Sequence, residues 1–458
     1  MKYQTSTFRV LCSSVHLRPY QILNCQSKNK ALSVFFYNIF LALLKSGIYL
    51  ASLFGGKAKK WVSGRKNIFE KLERAIPPDG KLIWMHCASL GEFEQGRPVL
   101  EKLKSQYPGY RLLLTFFSPS GYEVQKNYKG ADWVFYLPVD GPRNARRFLE
   151  IVKPSLVIFV KYEFWYYYLK KIKYRNIPLL LVSALFRKDM SFFKWYGGLQ
   201  RKMLSRFDHL FVQNELSRKL VSKIGLTAIC TVSGDTRFDR VAAIAENFQP
   251  IPLIEQFSAN SKLVVAGSTW KEDEEVLQKA FAAINDPSLK LVIAPHEINE
   301  AHLSDLKKLF PNAILFSELP AHYSPVIQSE AKYLTHLIID NIGMLSRLYY
   351  YGYITFVGGS FRKSGVHNVL EAAVYGKPVL YGPEYKKYSE AIELIESGGA
   401  ICVQTADDCA GIIQLLLQNE KGYKECSEKS LNFVRKNKGA TEKIAAFIKA
   451  KEYLDAGY

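Results

Sequence analysis

Short apolar runs, separated by glycine turns and amphipathic stretches, recur along most of the chain. From Lys81 onward, Leu82–Met85, Leu112–Phe116, Trp133–Leu137, Leu156–Val160, Leu179–Val182 and Phe207–Val212 read as strands. Several are apolar without alternation, as parallel strands covered on both faces are. Ala88-Ser89-Leu90-Gly91 reads as a turn and Ser118-Pro119-Ser120-Gly121 as a loop; Glu92 opens a helix, interrupted near Pro98 and closed by Pro108-Gly109. The pattern fades over Gln249–Asn260, where two prolines and few apolar repeats predict a linker. A second series follows: Lys262–Ala266, Leu291–Ala294, Ile314–Phe316, Leu337–Ile339, Ile354–Val357 and Val379–Tyr381. Within it, Gly267-Ser268-Thr269 reads as a turn and Glu272-Asp273-Glu274-Glu275 as an acidic helix start. Strand–helix alternation run twice predicts two α/β units, with ligands meeting strand ends in the cleft between them.

The N-terminal part departs from this pattern. Met1–Lys30 shows no sustained period and reads as a poorly ordered extension. Ala31–Phe54 is about long enough to span a bilayer, with Lys45 its one charged residue. It can span, or lie in the membrane plane with Lys45 reaching the headgroups; a buried core helix is the alternative without a membrane. The flank Lys57, Lys59, Lys60, Arg65 and Lys66 favours a cytoplasmic downstream chain. The expected division is 1–30 extension, 31–54 membrane helix, 55–248 first α/β unit, 249–261 linker, 262–440 second α/β unit and 441–458 C-terminal helix. In that last segment Ile444, Phe447, Ile448 and Leu454 fall near one helical face.

Composition narrows the partners. Lys and Arg outnumber Asp and Glu 62 to 42 in 458 residues, a net charge of +20 that suits nucleic acid, an acidic membrane or a phosphorylated substrate. The seven cysteines are scattered without a CxxC pair, which predicts reduced thiols and no structural zinc.

The densest chemical signal lies at Ile354–Tyr385. A strand ends in Gly358-Gly359-Ser360; Ser364-Gly365 and His367-Asn368 then lead into the helix-forming run Val369–Tyr375, which Gly376-Lys377-Pro378 stops. Glycines ahead of a helix start let backbone N–H groups cradle a phosphate. Asn368 and Glu371 are also spaced as a near capping box, which needs no ligand. The same two readings hold for Ser89 and Glu92, a capping box and a carboxylate projecting into the cleft from a helix start.

His86-Cys87-Ala88-Ser89-Leu90-Gly91-Glu92, Lys161-Tyr162-Glu163-Phe164-Trp165, Gly234–Asp239, Ala266–Thr269, Ala294–Glu297, Ile339–Gly343 and Asn368–Glu371 stand in that order. Together they resemble the bacterial 3-deoxy-D-manno-octulosonic acid (Kdo) transferases of lipid A assembly. The resemblance implies a GT-B fold of two Rossmann-like units. It also implies inverting transfer of Kdo from CMP-Kdo to a phosphorylated lipid A precursor of the lipid IVA type, at the cytoplasmic face of the inner membrane and on an anionic surface. It makes Glu92 the general base and Glu163 a second carboxylate that helps the transition state. Arg237, where the family has lysine, would offset charge on the departing phosphate. Carried-over donor contacts are Ser268, Thr269, Pro295, His296, Ile342, Gly343, Met344, Gly359, Ser360, Asn368, Val369, Leu370 and Glu371. His296 replaces the usual arginine, Met344 an acidic residue, and Lys161 a frequent acidic residue. The chain has no Asp-x-Asp and no His or Cys metal cluster, so neither metal nor cofactor is expected. A UDP-sugar donor on the same fold is one rival. A basic nucleic-acid-binding module is another, against which stands the lack of an aromatic RNP string, finger spacing or long basic tail.

Overall fold

The computed structural model describes residues 19–78, 80–259, 261–320 and 334–455. The strands of the first sheet are β1 Leu82–Cys87, β2 Arg111–Phe116, β3 Trp133–Tyr136, β4 Leu156–Val160, β5 Leu179–Ala184, β6 His209–Val212 and β7 Cys230–Val232. Those of the second are β8 Lys262–Thr269, β9 Leu289–Pro295, β10 Ala313–Leu315, β11 His336–Ile338, β12 Ile354–Val357, β13 Val379–Tyr381 and β14 Ala400–Cys402. All pairings are parallel, in the orders β3-β2-β1-β4-β5-β6-β7 and β10-β11-β9-β8-β12-β13-β14. This is the two-sheet α/β architecture that the alternation predicts, and it is GT-B-like, as the resemblance implies. Strand order reverses at β1/β4 and at β8/β12, and in such sheets the crevice at the carboxyl ends of these strands is where ligands sit.

Apolar side chains cover both faces of each sheet. Trp84, Leu113, Val157 and Leu181 lie in one core, and Ile83, Met85, Leu112 and Ile158 in the core on the opposite face. Helix Leu90–Gln106 packs through Gly96, where an added Cβ would lie 2.8 Å from Met85 Sδ and 2.9 Å from Val160 Cγ2. This helix runs through Pro98 without the expected interruption. The proline removes one hydrogen bond, a cost of about 3 kcal/mol, and burial of Phe93, Val99, Leu100 and Leu103 outweighs it.

Other expectations are corrected in the same way. Pro119–Gln125 is a short helix and not a loop, with Pro119 in its first turn and the Ser118 hydroxyl accepting from Ser120 N–H. Pro19–Lys30, expected to be poorly ordered, is the first part of a helix that continues to Ser52; Met1–Arg18 lies outside the described residues. The supposed linker holds helix Pro252–Ser258, with Pro252 in its first turn and Ile254 and Phe257 fully buried. Gly267-Ser268-Thr269 is the end of β8, bent by a bulge at which Ser268 takes φ 54°. The helix after the glycine loop is a single turn, Leu370–Ala373, so the dipole available to a phosphate there is small.

Two connections return to the first sheet from opposite ends of the chain. At the N-terminal end, the Tyr37 hydroxyl donates to Asp140 Oδ2 (2.7 Å) and accepts from Tyr166 N–H (3.2 Å), while Tyr167 Oη donates to Asn38 Oδ1 (2.8 Å). At the other end, helix Ala440–Ala450 buries Ile444 and Ile448 beside Val182 and Phe211. The Asp239 carboxylate accepts N–H bonds from Gly439 (2.5 Å) and Thr441 (2.7 Å) at the start of that helix.

Candidate active site

Glu92 stands in the first turn of helix Leu90–Gln106, at the carboxyl end of β1. Ser89 Oγ donates to Glu92 Oε2 (2.9 Å), and no backbone N–H bonds to the Ser89 side chain. The expected capping box is therefore half formed, with the hydroxyl spent on the carboxylate. Burial and then the nearby Glu163 charge push the Glu92 carboxyl above the ordinary glutamate value, while the Ser89 hydroxyl and Lys161 oppose them.

Glu163 follows β4 and is buried. Its Oε2 accepts from Trp165 Nε1 (2.5 Å) and faces His86 Nε2 (3.0 Å). Lys161, two residues earlier, has a left-handed backbone at φ 65°. Among the described residues it forms no ion pair, although its ammonium lies in the field of Asp235, Glu92 and Glu390. Burial, then Arg237, lowers its pKa.

Arg237 is placed differently from what its carried-over role implies. Its Nε and one terminal nitrogen donate to Asp235 Oδ2 (2.9 and 2.6 Å), and the other donates to Glu390 Oε1 (2.7 Å), which belongs to the second unit. Burial disfavours its charge, but Asp235 and Glu390 outweigh that and hold the pKa above its ordinary value. Two carboxylates already balance this guanidinium, which makes it a clamp between the units. Lys161 is the cation left without such partners, and a motif comparison alone could not find it because the family pattern is acidic there.

In the second unit, Ser268, Thr269, Pro295, His296 and Gly359 come together at the ends of β8, β9 and β12. Gly358 has no room for a side chain, since a Cβ would lie 2.5 Å from Ser268 O. Two of the glycine-loop N–H groups expected to meet a phosphate are occupied, Gly358 N–H by Gly267 O (2.9 Å) and Gly359 N–H by Asp273. Asp273 Oδ2 takes Gly359 N–H (2.7 Å) and Trp270 N–H (2.9 Å), and Oδ1 takes Phe361 N–H (3.4 Å). Burial raises this carboxyl to about 6 against those three N–H bonds. Ser360 is buried and accepts from Gly382 N–H (2.6 Å); Thr269 is buried and donates to Glu274 Oε1 (2.9 Å).

His296 is exposed, with its ring between Trp270 (centroids 4.7 Å apart) and His367 (4.4 Å). Trp270 Nε1 donates to His367 Nε2 (3.0 Å), and Arg362 lies 3.9 Å over the Trp270 ring. Burial lowers both imidazoles, His367 to about 4, so the stack is neutral near pH 7. Asn368 Nδ2 donates to Glu371 Oε1 (2.9 Å) and its Oδ1 accepts from Leu370 N–H (3.3 Å), a local arrangement of the capping kind. The Val369, Leu370 and Met344 side chains lie in the core, so any ligand contact there is through backbone. Ile342 projects outward at 92% exposure beside Gly343, which takes φ 99°.

Residues 64–240 match the family model described as 3-Deoxy-D-manno-octulosonic-acid transferase (kdotransferase). A 3-deoxy-D-manno-octulosonic acid transferase of Aquifex aeolicus is 30% identical over 341 residues, covering 72% of this chain and 86% of its own length. The chain belongs to the Kdo transferase family. The Haemophilus influenzae Kdo transferase is 26% identical over 396 residues, covering 83% of this chain and 88% of its own length. Among solved structures, the UDP-GlcNAc 2-epimerase of Neisseria meningitidis bound to UDP-GlcNAc superposes with a TM-score of 0.57 at 16% identity, over 81% of this chain and all (100%) of that one. At that identity the likeness is one of fold. Family membership makes the chain a glycosyltransferase, and Glu92, Glu163, Lys161 and Arg237 lie where the first sheet of this Kdo transferase meets its second unit.

Proposed function

We propose that this Kdo transferase moves Kdo from CMP-Kdo to a hydroxyl of a phosphorylated lipid A precursor of the lipid IVA type, with inversion and without a metal. The observation that carries the reading is Glu92: a carboxylate held at a helix start, raised in pKa by burial and Glu163, beside a lysine that forms no ion pair among the described residues. Glu92 takes the proton from the acceptor hydroxyl as its oxygen bonds to the anomeric carbon. The bond from that carbon to the CMP phosphate oxygen breaks, and CMP leaves with the electron pair. Glu163 lies close enough to Glu92 to steady positive charge developing on the sugar. Lys161 and, within its clamp, Arg237 offset the negative charge of the leaving phosphate. No group of three or more His, Cys, Asp or Glu suited to a metal occurs among the described residues.

In this reading residues 55–248 bind the acceptor and residues 262–440 the donor. Ser268, Thr269, Pro295, His296, Ile342, Gly343, Met344, Gly359, Ser360, Asn368, Val369, Leu370 and Glu371 contribute to the donor site largely through backbone. The glycine loop is held in shape by Asp273, which already accepts from the Gly359 and Phe361 N–H groups.

The apolar helix supports attachment in the membrane plane. Tyr37, Asn38 and Leu41 face the first unit, whereas Phe36, Leu43, Leu50 and Phe54 are 59 to 92% exposed. A helix tied at its middle to a water-soluble core cannot cross a bilayer there, but it can lay its free apolar face into the interface. With the +20 charge, this supports a working position on the anionic cytoplasmic face of the inner membrane.

Two measurements test the proposal. Purified protein given CMP-Kdo and a lipid A precursor yields a product heavier by Kdo in mass spectrometry. Calorimetric titration finds CMP binding tighter than UDP; tighter UDP binding, or no product, overturns the proposal.

A further inference from the structure

Behind Glu163 lies a hydrogen-bonded chain whose donors and acceptors can be counted. His86 on β1 and Thr115 on β2 are register partners, both fully buried. Trp84 Nε1 donates to Thr115 Oγ1 (2.8 Å), and an indole nitrogen can only donate. The Thr115 hydroxyl accepts there and has one proton to give. His86 Nδ1 is 2.9 Å away and Met85 O is 3.4 Å away. On the other side of the imidazole, Nε2 lies 3.0 Å from Glu163 Oε2.

Suppose the ring carried its proton on Nδ1 alone, donated to Thr115 O at 3.1 Å. Nε2 and a carboxylate oxygen would then face each other as two lone pairs. Trp165 Nε1 would not relieve this, since it lies 3.3 Å from Nε2 and already donates to Oε2 at 2.5 Å. With the proton on Nε2 and the Thr115 hydroxyl donating to Nδ1, every group in the chain is satisfied. A doubly protonated ring keeps the same Nε2–H bond.

We infer that Thr115 fixes the Nε2–H tautomer of His86, and that His86 so fixed is a positioning residue for the Glu163 carboxylate. Oε2 then receives two donors, His86 and Trp165, and Oε1 is the oxygen without a protein donor among the described residues. The carboxylate is held with one oxygen anchored and the other presented. Thr115 and Trp84 touch no substrate; they act through the ring, as residues behind a functional ligand do. Only the kinetic consequence rests on the transferase reading above; the tautomer does not.

The test uses the full chain with 15N-labelled histidine, the His86 ring signals being identified by their loss in His86→Gln. Two-bond 1H–15N correlation reports the Nε2–H pattern in the wild type and in Thr115→Ser. Thr115→Val keeps the volume and removes the hydroxyl, so Nδ1 faces only the carbonyl of residue 115, which draws the proton to Nδ1 against the lone-pair contact with Glu163, and the Nδ1–H form becomes populated. Turnover with CMP-Kdo then falls about 10- to 100-fold while KM for CMP-Kdo stays within about twofold. Thr115→Ser retains turnover within about twofold of wild type, which a loss of packing alone would not explain. An Nδ1–H wild-type ring overturns the inference, as does Thr115→Val with an Nε2–H ring or full turnover. If Thr115→Val fails to fold, the wild-type and Thr115→Ser spectra decide the tautomer. Glu163→Gln decides the positioning, since it must move the His86 Nε2 signal. A wild-type chain that shows Nε2–H but transfers no Kdo refutes the transferase reading and leaves the tautomer standing.

Discussion

Replacing Arg237 by methionine separates a clamp from a phosphate-binding cation. Asp235 and Glu390 each expose only 8% of their side chains, and the guanidinium between them 22%. The substitution removes three charge-assisted bonds, of 2.6, 2.7 and 2.9 Å, and leaves two largely buried carboxylates without a counter-charge. Breaking a buried pair from one side costs about 3–5 kcal/mol. Part of that is recovered if one carboxylate takes up a proton, so about 3 kcal/mol is expected at pH 7. Glu390→Gln leaves the guanidinium paired with Asp235 and costs about 1–2 kcal/mol. Because the two sites share one network, Arg237→Met with Glu390→Gln should cost less than the sum, with a coupling of about 1–3 kcal/mol. The assay is urea unfolding of the full chain in detergent, with CMP affinity measured in parallel. Asp235 belongs to the first unit and Glu390 to the second, so the coupling measures how strongly the units are held together. Arg237→Met costing under about 1 kcal/mol, or coupling to Glu390 below about 0.5 kcal/mol, refutes the clamp. Lost CMP affinity at unchanged stability would return Arg237 to the phosphate.

Glu92→Gln keeps the bond from Ser89 and removes the base, so turnover should drop about 100- to 10,000-fold with CMP affinity unchanged; a loss under about threefold ends the base assignment. Since burial and Glu163 raise the Glu92 carboxyl, the acid limb of kcat/KM in the wild type should lie above the ordinary glutamate value. Asp273 loses acceptor strength on protonation, so CMP affinity should decline as pH falls through about 6, and a flat titration refutes its hold on the glycine loop. The same raised pKa has the opposite sign for stability: the contribution is fully present below the unfolded value near 3.8 and is lost as pH rises through about 6, which the urea midpoints of wild type and Asp273→Asn should show. Changing Phe35, Phe36, Phe40 and Leu43 together to glutamine should release the protein from anionic vesicles while Tyr37 still holds Asp140. Vesicle binding that survives this change places the membrane contact elsewhere.

The strands at the centre of each sheet were legible because they are buried on both faces and so read as unbroken apolar runs, as Leu156–Val160 does. The edge strands Cys230–Val232 and Ala400–Cys402 are three residues long and give no such signal. Pro98 misled because the cost of a proline is local, whereas the packing that overrides it comes from β1 and from β4, the second of which lies far along the chain. At the candidate site, Glu92 and Glu163 were singled out through motif order, and their shared field was not readable. Nor was the occupant of the glycine-loop N–H groups: a loop of that composition fits a phosphate or a carboxylate equally, and Asp273 lies 86 residues before Gly359. Lys161 was legible only as a departure, until its neighbours showed a cation in the field of Asp235, Glu92 and Glu390 that forms no ion pair among the described residues.

The return of helix Ala440–Ala450 to the first sheet bears on how the protein is made. Ile444 and Ile448 complete a core whose other members, such as Met85 and Phe211, are translated long before them. At roughly 5–20 residues per second, the whole second unit, residues 262–440, must leave the ribosome before that face is covered. During those seconds the first unit is an open apolar surface joined to an apolar N-terminal helix, the state most prone to aggregate. Early adsorption of that helix to the membrane would hold the nascent chains apart until helix Ala440–Ala450 arrives to cover the core.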